Sequence, residues 1–464
     1  MSAGKTDQYK ELREVFPLFH YEGYRYEFRP PAFHIDYAFR LGEKFRFRPS
    51  LVIESSLFGE KMPVPHEAIG RMVAELGMIE MLSYWKATCS PRIIIQPRFW
   101  NEEQLRWWKK LYYNGLGEFF YTNGIEPDPE GFVNFSGYPG AGAGPSAFET
   151  GGKMIIPVGG GKDSVVTLQV LRKMEGEKIP FMINPTKAML ETTRAAGYDP
   201  GRSVNVRREI DPQLLELNRR GFLNGHTPFS AVVAFTGLLA AALLGSRYLA
   251  VSNESSASEP TDPATGVNHQ YSKSYEFETG FRQYVAAYLT GSVEYFSFLR
   301  PLNELQIASL FSEYPHQFGR FRSCNVGSKT DTWCGQCPKC LFTWIILAPF
   351  ISAGKLTDIW KKNLLNDVRL RPLLDQLTGM SPVKPFECVG SIKDVNSALS
   401  LTLNQLPDNA ELPALLRYFR SLPVYDPDLT PENCMHLRDY NKMNHLPARF
   451  SEILKSVLDA SLSQ

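Results

Sequence analysis

The stretch Pro157-Val158-Gly159-Gly160-Gly161-Lys162-Asp163-Ser164 constrains this chain more than any other. It follows residues 154–158 (MIIPV), which read as a buried strand, and it opens residues 164–172, which read as a helix. Three consecutive glycines let a ligand approach the backbone closely. The unpaired N–H groups and positive dipole end of the following helix favour an anion such as a phosphate. Lys162 adds a mobile positive charge, Asp163 is suited to holding Mg²⁺ on phosphates, and Ser164 can cap the helix or donate to a phosphate. Two common phosphate loops are excluded. A Walker A loop needs glycine where Ile156 stands and Ser or Thr where Asp163 stands, and the dinucleotide fingerprint needs a third glycine further on.

Short apolar strands alternating with helices continue beyond the loop. Residues 180–184, 203–210 and 248–252 read as strands, and 229–244 as a long apolar helix. The pattern predicts βαβ units, hence an α/β fold with a parallel sheet and helices on both faces. Residues 1–150 read as a separate N-terminal α+β domain. Phe33, Ile35, Tyr37, Phe39 and Leu41 alternate with polar or small residues, Gly42-Glu43 turns the chain, and Phe45 and Phe47 resume the alternation, which predicts a hairpin. Ile69, Met72, Val73, Leu76, Ile79 and Leu82 recur at helical spacing, 93–95 is a short strand, and Asn101 is the N-cap of an amphipathic helix. The Gly- and Pro-rich stretch 137–152 is the linker candidate. Residues 151–355 then carry the glycine loop, and the Leu-rich, Pro-containing residues 356–464 form a mostly helical C-terminal segment.

Composition narrows the partners. The chain of 464 residues balances 50 Lys+Arg against 49 Asp+Glu, which argues against broad phosphate neutralisation and so against nucleic acid. No signal-type apolar segment opens the chain, and the longest apolar run, 231–245, is too short to span a bilayer. The expectation is a cytoplasmic protein with no membrane partner, its oligomeric state left open.

Cysteine placement adds a second site. Four of the seven cysteines follow the pattern Cys324-x9-Cys334-x2-Cys337-x2-Cys340, the ligand number of a closed tetrahedral zinc site. Gly335 and Pro338 suit the tight turns, and Trp333 and Phe342 offer an apolar shell. Structural zinc is the first reading, with an iron–sulfur cluster or unligated thiols as alternatives. Arg320, Arg322, Lys329 and Lys339 surround the cluster as an anion-attracting patch or a solvated basic loop.

Gly160, Gly161, Lys162, Asp163 and Ser164 resemble the Ser-Gly-Gly-x-Asp-Ser signature of the PP-loop ATP pyrophosphatases, with Gly159 replacing the first Ser. That departure removes one hydroxyl contact and leaves the backbone cradle. The resemblance implies that Gly159, Gly160, Gly161, Lys162, Asp163 and Ser164 bind ATP, with Lys162 and Asp163 catalytic and Mg²⁺ required. It further implies cleavage between the α- and β-phosphates and transfer of AMP to a substrate oxygen. Asn184, ending the second strand, and Glu254, after the later strand, fall on the ligand edge of such a sheet as further ATP-site candidates, with turn or cap roles as the alternative.

A PP-loop followed by a cysteine cluster is similar to the 7-cyano-7-deazaguanine synthases, which keeps a ligase or amidating enzyme acting on a nucleobase or tRNA as one reading. A second resemblance covers nearly the whole chain. GMIEMLSYWKATCSP at 77–91, WWKKLYYNGLGEFFY at 107–121, NGHTPFSA at 224–231, SNESSASE at 252–259, NHQYSKSYEFE at 268–278, SCNVGSKTDTWCGQCPKCLF at 323–342 and KPFECVG at 384–390 resemble the bacterial UDP-N-acetyl-α-D-muramoyl-L-alanyl-L-glutamate epimerases. This implies ATP-dependent inversion of the terminal L-Glu of a UDP-sugar dipeptide to D-Glu through an acyl-adenylate, with AMP and pyrophosphate released, in peptidoglycan precursor synthesis. Cys388, Tyr271, Lys273 and His226 are candidates for the proton-abstracting base, each with a structural role as the alternative.

Overall fold

The computed structural model describes residues 3–97, 99–137, 140 and 144–462. Eleven strands share one sheet: β1 (Leu18–Arg29), β2 (Ala32–Leu41), β3 (Phe45–Phe47), β4 (Ser50–Glu54), β5 (Arg92–Ile95), β6 (Asn134–Gly137), β7 (Gly151–Pro157), β8 (Lys178–Ile183), β9 (Val204–Glu209), β10 (Ser246–Val251) and β11 (Glu294–Ser297). Their order is β11-β10-β7-β8-β9-β4-β2-β1-β5-β6, with β3 pairing β2 off this path. The five strands β7–β11 are parallel to their neighbours within that set, as the alternation of strand and helix predicts. Their spatial order reverses direction at β7: the chain moves one way through β8 and β9, then returns to the other side of β7 with β10 and β11. Such a reversal opens a crevice at the carboxyl ends of the two central strands, here β7 and β10.

The 32–47 hairpin forms as the alternation predicts, with Phe39 opposite Phe47 and Leu41 opposite Phe45. Its sheet does not stop at the edge of an N-terminal domain. β4 pairs antiparallel with β9, Leu51 facing Arg208 and Ile53 facing Val206, so the sheet runs continuously across residue 150. One of the two apolar cores does the same. Along β7, Ile155 packs into one apolar cluster while Met154 and Ile156 pack into the other, because successive strand residues face opposite sides. The first face joins the N-terminal residues to the apolar helix Phe229–Leu244. The second joins the helix Lys162–Leu171 to the helices of the C-terminal segment, among them Ile392–Asn404 and Ala448–Leu462. The first core thus runs across residue 150 and the second across residue 355.

The helix His66–Trp85 is buried on every side rather than along one stripe. Its buried acids are accordingly paired: Glu80 with Arg208 of β9 at 2.6 Å, and Glu75 with Tyr284 and Trp108, each at 2.8 Å. Gly77 lets two tyrosines close over it, since a Cβ there would strike the Tyr21 ring and lie 2.8 Å from Tyr37. Asn101 caps the helix Glu102–Gly115 through a capping box with Gln104, as its position predicts. Of the 137–152 linker candidate, residues 138, 139 and 141–143 lie outside the described residues, and its ends belong to β6 and β7. No helix among the described residues is long and apolar enough to cross a membrane.

Candidate active site

The glycine loop lies at the crevice. Gly160 turns the chain with φ +77°, a conformation that costs glycine little. Gly161 is the N-cap of Lys162–Leu171 and has no side-chain cap, and the first helical backbone bond runs from Val165 N–H to Gly161 O at 3.2 Å. The N–H groups ahead of Val165 thus form the open, positive end of the helix. Ser164 does not cap it; its hydroxyl donates back to Gly161 O at 3.0 Å. A cavity of about 500 Å³ is bounded by Gly159, Gly161, Asp163 and Ser164 of the loop, Phe181 and Ile183 of β8, Val251 at the end of β10, and Ser252 and Asn253 after it. Ser252 Oγ is buried without a hydrogen-bond partner, a polar atom on this wall that a bound ligand can satisfy.

Lys162 departs from the mobile charge expected of it. Its side chain is buried, and its ammonium forms ion pairs with both Asp163 and Glu304. Burial alone would lower the ammonium pKa, but these two carboxylates hold it well above the usual lysine range. Glu304, on the helix Glu304–Ser312 after β11, goes the other way: burial pushes its carboxyl up to about 8 despite Lys162. Asp163, Glu254 and Glu304 each offer a carboxylate oxygen within 4.8 Å of the others. This hard, oxygen-only donor set has more negative charge than Lys162 balances, which suits a divalent cation such as Mg²⁺. Glu254 therefore joins the loop, although it does not line the cavity. Asn184 does not join it. Its φ is +48°, and its side-chain amide is spent on the backbone of Arg208, donating to the carbonyl at 3.1 Å and accepting from the N–H at 2.8 Å.

The four clustered cysteines meet. All four Sγ atoms lie within 4.8 Å of one another, with Cys324–Cys337 and Cys334–Cys340 both at 3.7 Å. A tetrahedron with metal–sulfur bonds of about 2.3 Å has edges of about 3.8 Å, so the set suits one ion and is too tight to enclose a multi-iron cluster. Backbone N–H groups of Gly327 and Gly335 point at Cys324 and Cys340, 3.2 and 3.3 Å away, as in sites where the sulfurs are thiolates. This knuckle packs on the glycine loop: Arg322 N–H donates to Gly160 O at 2.8 Å, and a Cβ on Gly161 would lie 3.3 Å from Ser323. Among the described side chains, the basic residues beside it do not act together as a patch. Arg320 and Arg322 bond to nearby carbonyls, the Lys329 side chain lies outside the described residues, and Lys339 reaches the cavity, where it donates to the Cys388 carbonyl.

The same cavity is also lined by His226, His269, Lys273 and Cys388. Cys388 Sγ lies 3.2 Å from Lys273 Nζ and 3.8 Å from His269 Nε2, and His269 Nδ1 lies 2.5 Å from Glu118 Oε2. Burial alone would raise the Cys388 thiol, but Lys273, His269 and Lys339 bring it down to about 6. Burial would likewise lower His269, and its partners Cys388 and Glu118 raise it to about 9. His226, 3.3 Å from the same Glu118 oxygen, is lowered to about 4 by burial and by the neighbouring His269. Glu118, His226 and His269 are also close enough to bracket a metal ion. The 2.5 Å O–N approach, however, is a hydrogen bond and is shorter than the separation of two ligands on one ion. Tyr271 is buried and does not line the cavity.

Reading the sequence passes over Glu304, Glu118 and His269. His269 stands inside NHQYSKSYEFE at 268–278 and Glu118 inside WWKKLYYNGLGEFFY at 107–121, whereas Glu304 carries no local signal.

The depressed His226 value sets a pH dependence. Below its unfolded value of about 6.5 the unfolded chain binds a proton that the folded chain refuses. Stability held above pH 6.5 is therefore lost as pH falls toward 4, by up to about 1.4 kcal/mol per pH unit. Urea midpoints at pH 7 and pH 5 should differ more for the native chain than for His226→Asn; equal differences would contradict the assignment.

Fold and site together define a mixed α/β protein with an anion-type glycine loop at the crevice of its parallel strands and a set of acid–base side chains lining the same cavity. The chain belongs to the MurL family: residues 10–298 match the MurL N-terminal domain and residues 320–425 the MurL C-terminal domain. It is 34% identical over 386 residues to the UDP-N-acetyl-α-D-muramoyl-L-alanyl-L-glutamate epimerase of Xanthomonas oryzae pv. oryzae, covering 81% of this chain and 84% of that protein. The protein of the same name from Micromonospora sp. is 34% identical over 365 residues, covering 74% of this chain and 79% of the relative. No solved structure matches the chain.

Proposed function

We propose that this protein epimerises the terminal L-Glu of UDP-N-acetylmuramoyl-L-alanyl-L-glutamate to D-Glu by way of an acyl-adenylate, in peptidoglycan precursor synthesis. The observation that carries the reading is the shared cavity: it is lined both by the glycine loop and helix end and by Cys388, Lys273 and His269. An α-proton beside a free carboxylate resists removal, because the carbanion would sit next to a negative charge. Adenylation neutralises that charge and turns the α-carbon into a far stronger acid.

The loop N–H groups, that of Ser164 among them, hold the triphosphate of ATP, a PP-loop role, while Lys162 keeps Asp163 and Glu304 in place. Asp163, Glu254 and Glu304 would hold Mg²⁺, which when bound screens the charge of the phosphates. The substrate carboxylate then attacks the α-phosphate and pyrophosphate departs. The thiol cluster would hold a structural zinc that fixes Ser323 and Lys339 against the cavity. After proton transfer, water hydrolyses the adenylate to AMP and the epimer. The substrate is thus a small UDP-sugar peptide, and a cytoplasmic site of action follows from its being a cell-wall precursor.

Incubation with ATP, Mg²⁺ and UDP-N-acetylmuramoyl-L-alanyl-L-glutamate should release AMP and pyrophosphate only when all three are present. Release of ADP and phosphate, or no release, would refute the reading.

A further inference from the structure

One wall of the cavity holds a group of side chains that phosphate binding leaves unused. Cys388 comes from the C-terminal segment, Lys273 and His269 from the chain after β10, and Glu118 from the short helix Gly117–Thr122 near the N-terminal end. They are joined end to end, Glu118 to His269 to Cys388, with Lys273 set against the sulfur at 3.2 Å. A carboxylate that orients an imidazole, which in turn faces a thiol, is the arrangement that keeps a thiol ionised and ready to take a proton or attack. Lys273 cannot be the acceptor: Cys388 and Glu254 keep it protonated although burial would discharge it. His269 is held protonated by its two partners. Tyr271 does not reach the cavity, and its phenol is raised by burial. His226 is too weak a base, its proton affinity suppressed by burial and by His269.

Resting on the epimerase reading above, the geometry points to Cys388 as the residue that takes the α-proton of the activated glutamyl group, with Lys273 and the His269–Glu118 pair holding its sulfur as a thiolate. The Cα–H bond breaks and its electron pair moves into the enolate of the acyl-adenylate, while the proton passes to Sγ. A cavity water gives a proton to the opposite face of Cα, re-forming C–H with inverted configuration. The hydroxide left behind takes the proton from Sγ, which restores water and the thiolate. The charged groups facing Cys388 are Lys273, His269 and Lys339, with Glu118 behind His269 and Asp163 and Glu254 acting through Lys273.

The test uses the full chain and its Cys388→Ala and Cys388→Ser variants, with two readouts on UDP-N-acetylmuramoyl-L-alanyl-L-glutamate in D₂O. One readout is exchange of labelled pyrophosphate into ATP, which reports adenylation. The other is deuterium at the glutamyl α-carbon. The variants should keep pyrophosphate exchange and lose deuterium incorporation by about 10²–10⁴-fold. Deuterium incorporation retained in both variants overturns the proposal, as does loss of pyrophosphate exchange along with it. A native chain that shows no pyrophosphate exchange refutes the epimerase reading itself, independently of Cys388. Iodoacetamide on the native chain gives a check that no variant's folding can blur. Cys388 should alkylate with a midpoint near pH 6 and be protected by substrate with ATP; alkylation only above pH 8 or no protection overturns the role. Substrate trapped on Cys388 as a thioester would also overturn it, in favour of a nucleophile.

Discussion

Asp163→Asn is expected to abolish substrate-dependent pyrophosphate release while leaving the chain folded. Asp163 is the member of the carboxylate trio that lines the cavity, and its side chain is 29% exposed. Removing its charge leaves Lys162 still paired with Glu304, so no buried charge is orphaned. What is lost is a ligand for the Mg²⁺ that would screen the reacting phosphates, and a loss of at least about 10²–10³-fold is the scale of removing such electrostatic stabilisation. Lys162→Ala is a poorer probe of chemistry. It strips the counter-charge from two carboxylates at once, and breaking a buried pair costs about 3–5 kcal/mol. Pyrophosphate release by Asp163→Asn at close to the native rate, with an unchanged urea midpoint, would contradict the site.

Cys337→Ser should have the largest effect on stability. Cys337 is the N-cap of the helix Pro338–Leu347, which is buried in the second core, and its sulfur lies 3.7 Å from that of Cys324. Structural zinc supplies about 10–16 kcal/mol of binding free energy in small zinc-bound folds, so replacing one thiolate is expected to cost several kcal/mol. Metal content and melting temperature should fall together. Activity should fall as well, because the knuckle carries Ser323 and Lys339 to the cavity wall. Unchanged zinc content in the variant, or no zinc in the native chain, would rule the metal site out.

These two sites were the legible part of the molecule, for a physical reason. Glycine loop and cysteine knuckle are local: each packs its chemistry into fewer than twenty consecutive residues, where spacing alone carries the signal. The hairpin at 32–47 and the Asn101 cap are local too. The continuous sheet is not, since the β4–β9 pairing joins residues about 150 positions apart and neither strand advertises its partner. The His66–Trp85 helix shows the limit of periodicity. Its apolar spacing announces a helix, but full burial depends on Arg208 and Tyr284 reaching in to satisfy Glu80 and Glu75. Across the cavity the same limit hides the acid–base group. His269 meets Glu118 over a separation of 151 residues and Cys388 over 119, so no stretch of sequence displays the three together. Asn184 shows the converse: it stands at the expected sheet edge, but the backbone of β9 has already claimed its amide.

The central claim is that one cavity both adenylates the glutamyl carboxylate and inverts its α-carbon. The most direct test is to turn over UDP-N-acetylmuramoyl-L-alanyl-L-glutamate in D₂O with ATP and Mg²⁺, hydrolyse the product, and resolve its glutamate by configuration and mass. The account predicts D-Glu carrying one α-deuterium, formed only when ATP is present. D-Glu formed without ATP, or D-Glu that retains its α-protium, would contradict it.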